Sequence, residues 1–151
     1  MTSQTEQTRF TATAWFLAGF GAVPFAAMAL AAALAPGFSA SYLGGDAAFI
    51  GYGAVILSFM GGIRWGAVIN RAPDPEAART LILSVAASLA GWLALLIDRP
   101  WSLVLLLLGF AAQGAWDVAS ARSGQLPGWF GRLRLVISAI VVVSIILVVL
   151  A

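Results

Sequence analysis

The chain has 151 residues, of which 62% are hydrophobic and only 9% charged, with a mean hydropathy of +0.98. A soluble domain carries about 25% charged residues, so the composition excludes that class and predicts an integral membrane protein. His, Cys and Lys are absent and the eight arginines are spread along the chain, so we expect no cofactor, no bound metal and no nucleic acid partner.

Five uncharged runs of at least 17 residues predict five membrane-spanning helices, because a span needs roughly 17 to 25 mostly apolar residues. We place these helices at about 11–34, 47–70, 76–97, 101–119 and 131–151. The segments between them are too short for a second hydrophobic core, which needs roughly 50 residues. The predicted fold is therefore all-α, a single five-helix transmembrane domain over residues 1–151.

Two acids stand at predicted helix starts. Asp46 precedes helix 2, and Asp74 is followed by Pro75 at the start of helix 3. A carboxylate at this position accepts hydrogen bonds from the first free N–H groups of a helix. We therefore expect both acids to be helix caps.

Helix 2 carries small or polar residues at every fourth position. They are Ala54, Ser58, Gly62 and Gly66. Such a strip lets two helix backbones approach closely in a membrane. Helix 1 has a similar row of alanines, so we expect it to be the first partner of helix 2. Three uses of the strip stay open: packing within the chain, homodimerisation through Gly62 and Gly66, and binding of a partner or ligand.

The arginines predict the orientation, because excess Arg in short loops marks the cytoplasmic side. With the N-terminus inside, Arg99 alone lies outside. The arginines then predicted on the cytoplasmic side are Arg9, Arg71, Arg79, Arg122, Arg132 and Arg134. The predicted topology is N-in and C-out.

Arg64 and Asp117 are the charges predicted at membrane depth. Arg64 lies roughly 10 Å inside the cytoplasmic boundary and Asp117 about 7 to 8 Å, from the rise of a helix. These matched depths allow an ion pair. Gln113, Ser58 and Asn70 are the polar residues expected to share the same cavity. A structural pair, two independently snorkelling side chains and a functional pair all remain open.

The segment before helix 5 combines aromatic and basic residues, with Trp129 and Phe130 followed by Arg132 and Arg134. Rings inserted at the interface and guanidinium groups near anionic headgroups are typical of an interfacial anchor. A specific lipid or partner site is the alternative.

Three blocks of sequence carry a resemblance: Leu17–Phe25, Tyr52–Gly66 and Leu126–Leu135. With them the chain resembles a family of small bacterial polytopic membrane proteins of unknown function that are similar to mitochondrial transmembrane protein 69. Asp117 matches an acid expected in that family. Departures are a helix 3 without the usual proline, Phe130 for Tyr and Ser138 for Thr. The resemblance implies no reaction, but it implies a bacterial inner membrane location.

These observations favour a non-catalytic accessory or assembly factor that binds other membrane proteins or lipids through small-residue helix faces. The alternative is a small-solute or ion transporter or channel that uses a polar cytoplasmic-side cavity around Arg64 and Asp117. A lipid-modifying enzyme is a weaker third hypothesis, because Asp117 is the one acid placed for general acid–base work. The expected partners are the lipid bilayer and another membrane protein, and homo-oligomerisation stays open.

Overall fold

A computed structural model of the chain describes residues 2–38, 43–69 and 74–151, and these ranges contain helices and no strand. The five long helices are α1 (Thr2–Leu34), α2 (Gly45–Val68), α3 (Pro75–Ala94), α4 (Trp101–Arg122) and α5 (Gly128–Leu150). Each is long and apolar enough to cross a membrane. The all-α fold and the presence of five long apolar helices are confirmed.

The helix ends differ from the predicted ones most clearly at α1, which begins at Thr2 rather than near residue 11. The hydroxyl groups of Thr8, Thr11 and Thr13 each donate to the carbonyl four residues back, at 2.9 Å. The polar segment contains no proline or glycine, so it continues the helix beyond the apolar run on which the prediction was based.

The two predicted caps have different outcomes. Asp74 is the N-cap of α3, where its carboxylate accepts from the Ala77 N–H at 2.5 Å and Pro75 occupies the first turn. The prediction for Asp46 is wrong, because Gly44 (φ 75°) precedes α2 and makes no side-chain cap. Asp46 instead lies inside the first turn.

Arg99 ties three elements together at the end of the bundle predicted to be outside. From the α3–α4 turn it donates to the Asp46 carboxylate at 2.5 Å and to the Val148 carbonyl near the end of α5 at 2.7 Å. The Arg99–Asp46 pair remains partly exposed. The acid therefore joins helices rather than capping one.

The helices pack side by side in the order α2, α3, α4, α5 and α1, with α2 also contacting α4. α1 lies chiefly along α5 and touches α2 only over a short stretch, so the expectation that helix 2 is the first partner of helix 1 is wrong. Phe25 of α1 is fully buried and meets Phe110 edge-to-face, with ring centroids 5.5 Å apart. This aromatic contact packs α1 against the core of the bundle.

α2 and α5 do not pack directly against each other within the described ranges. Side chains, rather than close backbone contact, cross the space between them. A hydrogen bond joins α2 to α1 beside this space: the Tyr52 hydroxyl of α2 donates to the Gly21 carbonyl of α1 at 2.7 Å. This gap positions the site described next.

Candidate functional site

Three charged side chains meet inside the bundle, one each from α2, α4 and α5: Arg64, Asp117 and Arg134. Asp117 has 0% exposure, and both arginines are almost as deeply buried. Each residue lies four to six positions from a helix end, which corresponds to roughly 6 to 9 Å of helix rise. We call these three residues the charged cluster.

The Asp117 carboxylate bridges the two arginines through different oxygens. Its Oδ1 accepts from Nη2 of Arg64 at 2.6 Å, and its Oδ2 accepts from Nε of Arg134 at 2.6 Å. Charge-assisted hydrogen bonds of this length are the strong ones. One acid therefore fastens α2 and α5 to α4.

Arg64 has two further partners on α4. Its Nη1 donates to the Ser120 hydroxyl at 3.0 Å, and its guanidinium carbon lies 4.1 Å from the centre of the Trp116 ring. A guanidinium over an indole face is attracted by the ring quadrupole. Both contacts fix Arg64 on the Asp117 face of α4.

The charged cluster has an excess of donors and of positive charge. Two guanidinium groups face one carboxylate, which leaves a formal charge of +1 inside the bundle. Nη2 of Arg134, Nε of Arg64 and Nε2 of Gln113 are buried and have no hydrogen-bond partner among the described residues. Nη1 of Arg134 meets only the Met60 sulfur, a weak acceptor. Buried polar groups of this kind are normally paired.

A polar cavity of about 380 Å³ reaches the cluster from one side. Arg64 lines it, together with Thr80 of α3 and with Ser123 to Leu126 of the α4–α5 connection. This connection lies at the end of the bundle predicted to be cytoplasmic. The polar cavity therefore borders the charged cluster on its Arg64 side.

A second cavity, of about 340 Å³, reaches the cluster from the space between α1, α2 and α5. Its lining is apolar except for Arg134 and Ser138. The Ser138 hydroxyl is also buried without a partner within the described part of the chain. We call this space the α1–α2–α5 cavity.

The contact between Arg64 and Asp117 that the matched depths predict is present, and Gln113 is buried one turn from Asp117 on α4. Ser58 is half-buried on α2 and makes no side-chain hydrogen bond to the cluster within the described part of the chain. Asn70 lies outside the described residues. The predicted polar group is therefore only partly assembled.

Arg134 is the main residue that the sequence reasoning misplaced. The prediction of an interfacial anchor is wrong for Arg134, which is buried, whereas Arg132 is exposed as an anchor requires. Trp129 is half-buried, with its ring 5.8 Å from Phe10 of α1, and Phe130 lines the α1–α2–α5 cavity. The anchoring role of the other three residues stays a prediction.

A signal for Arg134 was present in the spacing along α5. Arg134 is followed at intervals of three and four residues by buried side chains, namely Ile137, Val141, Ile145 and Val148. This spacing is that of one helix face. An arginine in register with it faces the interior.

Packing within the chain, one of the three uses left open for the α2 strip, is wrong for the second half of the strip. Ala54 is buried, but Gly62 and Gly66 are exposed, and a Cβ atom added to either would meet nothing within 4 Å. A straight helix turns by about 40° beyond a full turn in every four residues, so the strip rotates by roughly 120° between Ala54 and Gly66. It therefore leaves the interface.

Other glycines make the close contacts. A Cβ at Gly61 of α2 would collide with the Ser84 carbonyl of α3, and one at Gly91 of α3 would lie 2.8 Å from the Ala54 carbonyl of α2. Real Cβ atoms do not approach that closely. The backbones of α2 and α3 therefore depend on these two glycines for their separation.

Residues 10–150 match the family DUF3429, described as a protein of unknown function. The chain belongs to this family. The DUF3429 match includes α2 to α5 and the charged cluster that α2, α4 and α5 form. It confirms the resemblance to a family of unknown function that the three sequence blocks carry.

Among curated proteins, the chain is similar to transmembrane protein 69 of Xenopus tropicalis. The two chains are 34% identical over 100 residues, which is 64% of this chain and 39% of that protein. The chain therefore matches about two fifths of the length of this relative. No solved structure matches.

Proposed function

We propose that the protein is a non-catalytic, multi-pass protein of a bacterial inner membrane that acts as an accessory or assembly factor, binding another membrane protein through an exposed face of α2. The five apolar helices and the similarity to a transmembrane protein support the membrane setting. The arginine distribution supports N-in, C-out insertion. The bacterial setting rests on the family resemblance of the sequence.

The observation that carries this proposal over a transporter is the packing beyond the charged cluster. Phe25, Phe49 and Phe110 form an edge-to-face layer across α1, α2 and α4. Beyond the aromatic layer the bundle interior continues with Leu103, Leu106, Ile145 and Val148, all almost fully buried. Ser102 and Ser144 are also buried there, but the packing is mainly apolar and close, and it offers few partners to a hydrated solute. The polar cavity at Arg64 is therefore a pocket rather than part of a path.

The setting of Asp117 favours a non-catalytic role. A general acid or base must reach the proton it transfers, but each oxygen of this carboxylate accepts a hydrogen bond from an arginine, and the side chain is fully buried. No open position is left for a reacting group. This argues against the lipid-modifying enzyme.

The exposed face of α2 is the surface proposed for the partner. Val55, Gly62, Gly66 and Ile69 lie on it, all exposed, and the spacing of seven residues between Val55, Gly62 and Ile69 keeps them aligned. Glycines on a lipid-facing surface let a second helix approach closely. We call these four residues the α2 outer face.

Site-specific photocrosslinking in the native membrane tests this proposal. A benzoylphenylalanine is placed at Val55, which is 65% exposed on the α2 outer face, and in a matched control at Leu89 of α3, which is 58% exposed. We expect Val55 to give a crosslink to one defined membrane protein and Leu89 to give none. Equal adducts at both positions, or a self-adduct of twice the chain mass, would contradict the accessory role.

A flux measurement addresses the transporter alternative directly. The purified chain is reconstituted in phosphatidylcholine vesicles that contain a chloride-sensitive dye, because the excess positive charge of the cluster makes an anion the substrate to test. We expect no flux above that of protein-free vesicles. Saturable chloride flux that is lost in Asp117→Leu would favour the transporter instead.

A further inference from the structure

Arg134 lines the α1–α2–α5 cavity and has a donor that is without a partner in the described part of the chain. This donor is Nη2, which carries two free N–H groups, whereas the Ser138 hydroxyl lies toward α4, where a Cβ atom at Gly114 would meet it. A second nitrogen of Arg134, Nη1, contacts only the Met60 sulfur. An oxygen acceptor at this position would satisfy groups that are costly to leave buried and unpaired.

The charge of the cluster determines which acceptor is complementary. Arg64, Arg134 and Asp117 sum to +1, and Asp117 has both oxygens engaged by the arginines. A group with a single negative charge would neutralise the cluster, whereas a dianion would replace one buried excess charge with another. A carboxylate meets both requirements.

The rest of the cavity is shaped for one hydrocarbon chain. Its walls include Leu17, Ile56, Phe110 and Val141, and no charged side chain other than Arg134 lines it. From Arg134 the lining on α5 extends over seven residues to Val141, about 10 Å of helix rise. A volume of about 340 Å³ is at the small end of ligand sites, which suits one acyl chain better than two.

The cavity has an opening toward the membrane. Leu17 of α1 and Phe59 of α2 line it and are also largely exposed, and α1 and α2 meet only over a short stretch. The Tyr52–Gly21 hydrogen bond joins the two helices at the deeper end. A lipid chain could therefore enter laterally from the bilayer.

We propose that the α1–α2–α5 cavity binds a long-chain fatty acid, with its carboxylate at Arg134 and its chain along the apolar wall. This site does not use the α2 outer face and does not depend on the proposed partner. Loss of the partner crosslink would leave fatty acid binding intact, and the reverse also holds.

Photolabelling of the full chain tests the proposal. The protein is placed in nanodiscs of phosphatidylcholine, incubated with a diazirine analogue of palmitic acid and illuminated, and the labelled residues are mapped by mass spectrometry. We expect labels on residues that line the cavity. Palmitate should compete about tenfold or more better than hexadecanol, which has the same chain without the charge, because hydrogen bonds to charged groups are the strong ones.

A pair of glycines in α1 gives a matched control. Gly21 lines the cavity and Gly19 does not, and a Cβ atom at either would meet nothing within 4 Å. Gly21→Leu should fill the cavity and reduce labelling at least tenfold, whereas Gly19→Leu should label like the parent. Neither substitution touches the charged cluster, so both variants are expected to fold.

Three results would overturn the proposal. Equal competition by hexadecanol would show an apolar gap without a carboxylate site. Stronger competition by phosphatidylglycerol than by palmitate would assign the cavity to a two-chain lipid. Unchanged labelling of Gly21→Leu would place the label outside the cavity.

Discussion

Replacing Asp117 by leucine removes the carboxylate that two buried arginines share. Arg64 and Arg134 would then face each other without a counter-charge, in a position where the carboxylate has no access to solvent. Breaking a buried ion pair by deleting one partner costs about 3 to 5 kcal/mol. Because two guanidinium groups lose their partner here, we expect a loss of stability at the upper end of that range.

Because the charged cluster has three members, we expect a specific order of stability among its variants. Arg64→Met leaves one arginine and one carboxylate, a neutral pair, and should cost only about 1 to 3 kcal/mol. The double variant Arg64→Met/Asp117→Leu leaves Arg134 alone and should remain strongly destabilised. Replacement of all three residues by apolar side chains should be near neutral, or stabilising by up to about 4 kcal/mol, since no charge is left to desolvate.

Equilibrium unfolding in mixed detergent micelles measures these differences. Asp46→Leu is the matched control, because the Asp46–Arg99 pair is partly exposed, and such pairs contribute about 0 to 1 kcal/mol. The reasoning is refuted if Asp117→Leu costs no more than Asp46→Leu. It is also refuted if the triple variant is as unstable as Asp117→Leu.

Three further outcomes are expected. Gly61→Ala should destabilise by about 1 to 3 kcal/mol, because its Cβ would collide with the α3 backbone, while Gly62→Ala should melt with the parent; equal melting of the two would contradict the α2–α3 contact. Tyr52→Phe removes the hydroxyl bond to α1 and should cost about 0.5 to 1.5 kcal/mol, measured by the same unfolding; no change would show that this bond does not hold α1. An alkaline phosphatase reporter, active only outside the cytoplasm, should be active after Ala151 and inactive after Ser123, and the opposite pattern would reverse the topology.

The number of helices could be predicted because it depends on a property of each segment alone. A run of uncharged apolar residues is long enough to span the membrane whatever its neighbours are. Helix ends depend on more. The extension of α1 to Thr2 shows that a polar segment without a helix breaker remains helical, which hydropathy does not detect.

The choice of partner for each side chain was harder to predict, because it depends on how helices are arranged. Asp46 and Asp74 both precede apolar runs, yet Arg99 lies within reach of Asp46 alone. Nothing near Asp46 in the sequence indicates this, since Arg99 is 53 residues away. Local signals predicted a cap for both acids and gave no indication of the distant arginine that binds Asp46.

The charged cluster also could be predicted only in part. Depth could be estimated for Arg64 and Asp117 from the helix rise, and they are in contact. Arg134 lay just before an uncharged run, and depth measured from that boundary placed it at the surface. The α5 helix begins at Gly128, three residues before the predicted start at 131, so Arg134 lies six residues inside the helix and is buried in the bundle.

The contact between α1 and α5 has a consequence for assembly during synthesis. α2 and α4 each have their main neighbour in the next helix to be made, and α3 has its main neighbour in α2, the helix made just before it, so these helices can associate as they enter the membrane. α1 is made first, but its main neighbour α5 is the last of the five. Arg64 likewise enters the membrane before α4 can supply Asp117, 53 residues later. The bundle therefore closes late, and until α4 has been made Arg64 is without the carboxylate that neutralises it in the folded bundle.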